Sequence, residues 1–473
     1  MRAVGGEQPE DEVVSDERRD FAGVRDHQSS GTSRGAAPWL LLAAGELTFA
    51  GLAALPDARA RPAPYLLLFA ASALLALWAA RSLSGSSLSF LLLCGGLFRA
   101  TLLLRAPDLS DDVYRFAFDG RVAAAGISPY LHAPEDPAVA GVAKDLLRRV
   151  AHRSVKTVYP PVAQALFRAG ALAAPREVLA LKALFALADL SVVLLVFRMG
   201  GPSGGFAAAL YAFHPLPVTE TAGQGHPDAL GVALLLASLL FLAAGRRARA
   251  GAAFALAVLT KYVPAAGALP LLRRGRAALG AAALGTLAVV WWAAARGGAS
   301  PAGGLSEYAT RWSFNSVVYA GTLAAVEATQ LPERAKDLFL AVKERLNHPA
   351  WTQEVFPYFY SAFFARALLA IALAILLVAI DRRFRGESAE RPVFFSLAAL
   401  TLLAPTLHPW YLLWLLPFAA RARHAAFLWL ASAAPLAYAL LDPVPWLPAP
   451  LVYAIEFGPF AVLLAMTLRR GLA

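Results

Sequence analysis

Residues 108–121 read Asp108-Leu-Ser-Asp111-Asp112-Val-Tyr-Arg115-Phe-Ala-Phe-Asp119-Gly-Arg121 and follow directly on the run 88–104, which is apolar but for Ser89, Arg99 and Thr101. An apolar run of that length that ends in a carboxylate cluster is a hydrophobic helix delivering charge to a membrane surface. Each charge costs about 2.5 to 3.5 kcal/mol at the bilayer centre, so carboxylates at a membrane edge are candidates for function. The plainer reading is a solvated loop with a helix cap, because Ser110-Asp111-Asp112 ahead of Val113-Tyr114 has the composition of a helix N-terminus.

The rest of the chain agrees with a membrane setting. Of its 473 residues 58% are hydrophobic and 16% charged, against about 25% charged in soluble domains. Several runs approach the ~20 residues that span a bilayer, beginning with 38–55, 64–80 and 86–104. The pattern predicts an all-α polytopic membrane protein with about 12 to 14 crossings. The formal net charge of +11 does not point to nucleic acid, since the arginines end apolar runs and form no basic face interleaved with aromatics. Cys94, the single cysteine, can form no disulfide within the chain and reads as a packing residue.

Residues 1–36, polar and nearly free of aromatics, read as a disordered cytoplasmic tail. Residues 37–473 read as one transmembrane domain. The clusters Arg246-Arg247-Ala-Arg249, Arg273-Arg274-Gly-Arg276, Arg382-Arg383-Phe-Arg385, Arg421-Ala-Arg423 and Arg469-Arg470 belong on the cytoplasmic side. Counting between them places 105–160, 223–228, 296–360, 407–411 and 442–450 on the outer face, with 105–160 and 296–360 as the two large outer loops. Two stretches break the alternation. Residues 251–272 have arginine clusters on both sides, which predicts two short helices entering and returning around Lys261-Tyr-Val-Pro264, and 161–174 is short enough to be either a span or a re-entrant helix.

Broken helices at membrane depth occur where backbone is buried or lines a wet cavity, and a lysine at such a break calls for an anionic partner. Lys261 is therefore a candidate for binding phosphate or carboxylate, with snorkelling to headgroups as the alternative. Glu220-Thr-Ala-Gly-Gln224-Gly-His226-Pro-Asp228 sets two carboxylates, an amide and a histidine at the outer end of two spans, as a pocket edge or a capped turn. His408-Pro-Trp410-Tyr411 opens another span; Trp410 and Trp414 read as aromatic belt. No His spacing of metal-site type occurs, so no metal site is expected, although a divalent-cation requirement stays open.

From Asp111-Asp112-Val-Tyr-Arg-Phe-Ala-Phe-Asp119-Gly-Arg121-Val, through Gly126-Ile-Ser-Pro129-Tyr130, to Tyr159-Pro-Pro161, the chain resembles the bacterial GT-C glycosyltransferases. The likeness is specifically to polyprenyl-phosphomannose-dependent mannosyltransferases, family-87 enzymes with alpha-1,6-mannosyltransferase relatives. Glu220 to Asp228, the segment around Lys261 and His408 to Tyr411 look like later landmarks of the same family. Phe118 stands where the family often has Trp, and Ser128 where Asn is common. The resemblance implies a multi-span GT-C fold in the cell membrane. It further implies an outer loop bearing the catalytic acid, a polyprenyl-phosphate-linked hexose donor, most simply mannose, and a glycan or glycolipid acceptor on the extracytoplasmic face.

A phosphate leaves as a stable anion without a general acid, so one carboxylate that deprotonates the acceptor hydroxyl suffices. On that basis Asp112 is the expected base and Asp111 the next choice. Lys261, with Arg121 or Arg115, is expected at the donor phosphate. Asp108, Asp119, Tyr159, Glu220, Gln224, His226, Asp228, His408 and Tyr411 are expected around the substrate pocket. The competing class, a secondary transporter or flippase of an anionic or lipid-linked substrate, also uses charges and broken helices, but two related halves are not visible in this chain.

Overall fold

The computed structural model describes residues 35–201, 203–296, 298–346, 356–441 and 445–470. The expected tail lies outside these residues save for its last two positions. Six helices are long and apolar enough to cross a membrane: α1 (Ala37–Ala54), α2 (Pro62–Ser82), α6 (Glu177–Arg198), the stretch Val263–Ala294, α14 (Ser361–Arg383) and α18 (Ala449–Arg469). Shorter apolar helices fill the space between them: α3 (Leu88–Leu103), α7 (Gly204–Phe213), α8 (Asp228–Ala243), α12 (Val317–Thr329) and Ala425–Leu440. The chain is an all-α polytopic membrane protein.

Fewer long helices appear than crossings expected, because several apolar runs are built from fragments. After α7 the backbone turns extended at His214, and Pro215 and Pro217 lead into a π-helical segment, Val218–Gly223. A proline lacks the N–H that would continue an α-helix, and wide helical turns of this kind mark functional sites. Likewise Pro409 opens a 3₁₀ segment, Pro409–Trp414, ahead of the short helix α16 (Leu416–Ala422). These interrupted segments carry His226 and His408 to one place.

The break expected around Lys261 is present. Helix α9 (Arg247–Thr260) stops at Lys261, whose backbone is extended. A 3₁₀ turn, Val263–Gly267, then leads into α10 (Ala268–Ala294), which is kinked where Arg276 takes a positive φ of 57°. Gly251 lets α9 lie against α10, because a Cβ there would sit 2.2 Å from the Leu279 carbonyl oxygen.

Residues 161–174 supply α5 (Pro161–Ala171), too short to span. It packs on α4 (Asp112–Ala124) across Gly120, whose missing Cβ would otherwise meet the Phe167 carbonyl oxygen at 2.1 Å. Phe116 and Phe167 stack at 4.6 Å. With Val113, Phe118, Phe185 and their neighbours they form a small core of their own beneath the outer loop, separate from the large core of the spans. That second core fixes α4 and therefore the direction of its acidic first turn.

One buried ion pair ties the spans together. Arg99 Nε donates to Asp189 Oδ2 at 2.6 Å, and Tyr211 donates to the other carboxylate oxygen at 2.6 Å, joining α3, α6 and α7. Removing one partner of such a pair costs about 3–5 kcal/mol because the other charge is stranded. Cys94 is a buried, unpaired packing residue, as expected.

Two further helices lie in the stretch 296–360 beside α12: α11 (Gly303–Arg311) and α13 (Leu331–Arg345). Phe314 and Thr406 form an isolated parallel bridge, with Phe314 N donating to the Pro405 oxygen at 3.0 Å and Leu407 N to the Phe314 oxygen at 2.8 Å. The stretch 296–360 is thereby fastened to the residues that precede His408.

Candidate active site

Helix α4 begins at Asp112, as the sequence suggests, but its cap is incomplete: Asp111 makes no side-chain capping hydrogen bond. Ser110 Oγ instead accepts from the Asp112 N–H at 3.3 Å and lies 3.2 Å from His226 Nε2. Both aspartate side chains are left free to face a cavity of about 780 Å³. Its wall includes Asp111, Asp112, Arg115, Tyr159, Lys261, His408 and Tyr411, seven of the residues expected at the site.

Behind Asp112 stands a polar chain. His226 Nε2 is 3.9 Å from Asp112 Oδ2, and His226 Nδ1 is 3.0 Å from Glu220 Oε2. Tyr438 donates to both Glu220 oxygens at 3.0 and 2.9 Å. The imidazole is held flat by Trp410, stacked at 3.9 Å, which in turn stacks on His408 at 4.3 Å; His408 stacks on Phe314 at 4.6 Å. His226 and Glu220 are wholly buried, so their orientation is fixed before any ligand arrives.

Gln224 acts as a clamp. Its Oε1 accepts from the backbone N–H groups of Asp108, Leu109 and Ser110 at 3.2, 2.9 and 3.3 Å. Asp108 is occupied by Arg105 and by the Ala58 N–H, the latter at 2.7 Å. Asp108 and Gln224 therefore shape the approach to Asp112 and do not themselves line the cavity.

The cations divide. Lys261 Nζ lies 2.7 and 3.0 Å from the two oxygens of Asp228, which is fully buried and also accepts from Trp414 Nε1 at 2.7 Å. It also sits 4.4 Å from the centre of the Tyr411 ring. An ammonium has three donors, so one can still face the cavity. Arg115 Nε donates to Asp119 at 2.8 Å while its Nη2 is buried without a partner. Asp119 also accepts from Gln164 at 3.1 Å.

Arg121 is placed differently from its expected role. It pairs with Asp145 at 2.7 Å and with buried Glu177, and it does not line the cavity. The sequence places it six residues past the cavity-lining Arg115, and α4 turns it toward α6. The reading of Trp410 and Trp414 as aromatic belt is also corrected: the first stacks on two histidines and lines the cavity, and the second is fully buried on Asp228.

Several wall residues carried no recognisable sequence signal. Arg59, His152, Lys156, Tyr308 and Trp312 line the cavity. His152 and Lys156 belong to the basic stretch 148–156, which could have been read as an outer-face anion patch; Tyr308 and Trp312 are four apart on one helical face. Among the lining residues the cations Arg59, Arg115, Lys156 and Lys261 outnumber the carboxylates Asp111 and Asp112, which suits an anionic ligand better than a bare metal ion. Burial, reinforced by the charges of Asp112 and Asp228, pushes the Tyr159 phenol well above its ordinary pKa, and burial pushes Tyr308 up to about 12. Both remain neutral donors at physiological pH.

The cavity wall also includes apolar side chains, Val263, Ala266, Leu373, Leu377 and Leu400 from the 3₁₀ turn, α14 and α15 (Glu390–Leu403), beside the charged residues. A headgroup-and-tail ligand fits that combination.

The family model for the alpha-(1->6)-mannopyranosyltransferase N-terminal domain matches residues 36–278, just over half of the chain. No curated protein and no solved structure matches. The matched half contains Asp112, Glu220, His226, Asp228 and Lys261, so the carboxylates, the buried histidine and the lysine at the helix break all fall inside the family's own region. The chain belongs to the alpha-(1->6)-mannopyranosyltransferase family and is a mannose-transferring glycosyltransferase built into a membrane.

Proposed function

We propose that the protein transfers mannose from a polyprenyl-phosphate-linked donor to the hydroxyl of a glycan or glycolipid acceptor on the extracytoplasmic face, with Asp112 as general base. The observation that carries this reading is the pairing of a cavity-facing Asp112, 40% exposed and held by no strong ion pair, with an apolar groove on the same cavity. A nucleotide sugar would have no use for that groove, whereas a prenyl chain requires one.

In the reaction Asp112 accepts the proton of the acceptor hydroxyl, the oxygen attacks the anomeric carbon, and the bond from that carbon to the phosphate oxygen breaks. The polyprenyl phosphate departs as an anion, so no acid is needed on the leaving side. Arg115, through its unpartnered Nη2, and the third N–H of Lys261 stabilise the phosphate as charge grows on it. Asp111 borders the same opening as the second carboxylate. His226 and Glu220 hold the base from behind.

The outer face is supported by where the arginines pair. Arg421 meets Glu390 at 2.5 Å at the start of α15, whereas Leu400 and Thr401 border the cavity, about 15 Å further along the helix at its 1.5 Å rise. Arg273 meets Asp381 at 2.6 Å at the last turn of α14. On α15 the arginine-paired end and the cavity end are thus opposite, as the positive-inside rule asks, whereas on α14 the cavity-lining Leu377 stands one turn from Asp381.

Membranes containing the protein, incubated with radiolabelled polyprenyl-phosphomannose and a mannoside acceptor, are expected to move label into the acceptor. Label transfer from a nucleotide-linked mannose but not from the lipid donor would contradict the donor assignment.

A further inference from the structure

Part of the cavity wall is a row of aromatic rings, of which Trp312 and His152 have no role in the reaction described above. It starts deep, at Tyr411 beside Lys261. Tyr411 and Tyr308 share a hydrogen bond between their hydroxyls. Tyr308 stacks on Trp312 at 5.6 Å with 27° between the planes, and His152 meets the Trp312 edge at 4.9 Å. The row ends in solvent, since His152 and the neighbouring Lys156 are exposed while Tyr308 and Trp312 are half-buried.

The row is built into the fold. Gly304, on α11, has no side chain where a Cβ would lie 2.4 Å from the Thr157 carbonyl oxygen and 2.6 Å from that of Lys156. The absence of a Cβ lets the second outer loop close on the first. Trp312 follows the last turn of α11, with its N–H on the Tyr308 oxygen at 3.1 Å and its own oxygen accepting from Arg366 at 3.2 Å. A large aromatic side chain held by its backbone at a wet cavity mouth, with no need for it in either hydrophobic core, is positioned for a ligand.

We infer that Tyr308, Trp312 and His152 form the acceptor subsite, a platform on which a pyranose ring of the acceptor glycan stacks. The C–H face of a pyranose is slightly positive and complements the negative face of an aromatic ring, and its hydroxyl edges can reach Lys156 and the Tyr308 hydroxyl. The direction of the row separates acceptor from donor. A prenyl donor is accommodated by the apolar side chains that α14 and α15 give to the wall, whereas a hydrophilic glycan must come from the solvent end, where His152 and Lys156 lie. The inference rests on the mannosyl-transfer reading only for which sugar arrives, since stacking needs no chemistry at Asp112.

The test uses the full-length protein in nanodiscs, with a synthetic (1->6)-linked mannose disaccharide carrying an alkyl aglycone as the probe. Its binding is read by saturation-transfer NMR without donor, and its KM and the donor KM are read separately in the transfer assay. Trp312→Ala is expected to weaken disaccharide binding and raise the acceptor KM by about fivefold to tenfold, with the donor KM within about twofold of the parent; Trp312→Phe should recover most of the loss. Gly304→Ala, which moves α11 without touching the rings, should give the same pattern and serves if Trp312→Ala does not fold. Unchanged disaccharide binding in Trp312→Ala, or a rise in donor KM alone, would overturn the platform. A parent protein that binds the disaccharide through Trp312 but transfers no mannose would keep the platform and sink the transfer reading.

Discussion

Asp112 and Asp228 border the same small region and are treated in opposite ways. Asp228 accepts from both Lys261 and Trp414 and is fully buried, which closes it to a substrate. Asp112 opens to the cavity, and its ion-pair contact among the described residues is His226 at 3.9 Å. A carboxylate held by a cation at hydrogen-bond distance is a poor base, because the cation stabilises the charged form. The difference teaches that this site keeps its structural charges saturated and leaves its reactive one free.

The largest effect that could break this comparison is at the saturated pair. Lys261→Met removes the cation and strands Asp228 in a buried setting, which typically costs 3–5 kcal/mol. We expect a much lower Tm in detergent for Lys261→Met, and partial recovery in the double variant Lys261→Met/Asp228→Asn, read by thermal unfolding. A parent-like Tm in Lys261→Met would mean that Asp228 is no more saturated than Asp112.

The smallest effect concerns the pair that Asp145 makes with Arg121, a residue on the same helix as Asp112. Burial acts to raise the Asp145 carboxyl pKa, but hydrogen bonding and charge from Arg121 outweigh it and hold it below the ordinary value. A depressed folded pKa gives stability that is present above the unfolded value of about 3.9 and is lost as pH falls through the lower folded value. Because the Asp145 side chain is 62% exposed, solvent screening keeps the contribution within about 1 kcal/mol. Asp145→Asn should leave Tm at neutral pH nearly unchanged and flatten its fall below about pH 4. A large loss at neutral pH would show that Arg121 depends on Asp145 more than on buried Glu177.

Much of the site could be read locally. The carboxylate cluster after an apolar run, the glycine- and proline-rich Glu220 to Asp228 stretch and the Lys261 break are short patterns, and each reaches the cavity or the layer directly behind it. What could not be read is pairing across distance. Lys261 and Asp228 are 33 residues apart, and nothing in either neighbourhood marks the other as its partner. The choice between Arg121 and Arg115 stayed open for the same reason: the Arg121 partner Glu177 lies 56 residues on, and nothing near Asp112 marks the helical rotation that turns Arg121 away. Trp414 one turn past a membrane-interface proline has the same local sequence whether it faces lipid or a buried carboxylate. The sequence also did not show which apolar runs are continuous helices: His214-Pro215 and His408-Pro409 break theirs into pieces that build the site.

The central claim is most directly tested by comparing Asp112→Asn with Asp119→Asn in the polyprenyl-phosphomannose transfer assay, with Tm recorded for both. Asn caps a helix about as well as Asp but cannot take the acceptor's proton. Asp112→Asn should therefore fold with a parent-like Tm and transfer mannose more slowly by about 10² to 10⁴, and Asp111→Asn should be milder. Asp119→Asn loses the charge opposite Arg115 and should lower Tm while retaining more activity than Asp112→Asn. Transfer at close to the parent rate by a well-folded Asp112→Asn protein would contradict the account.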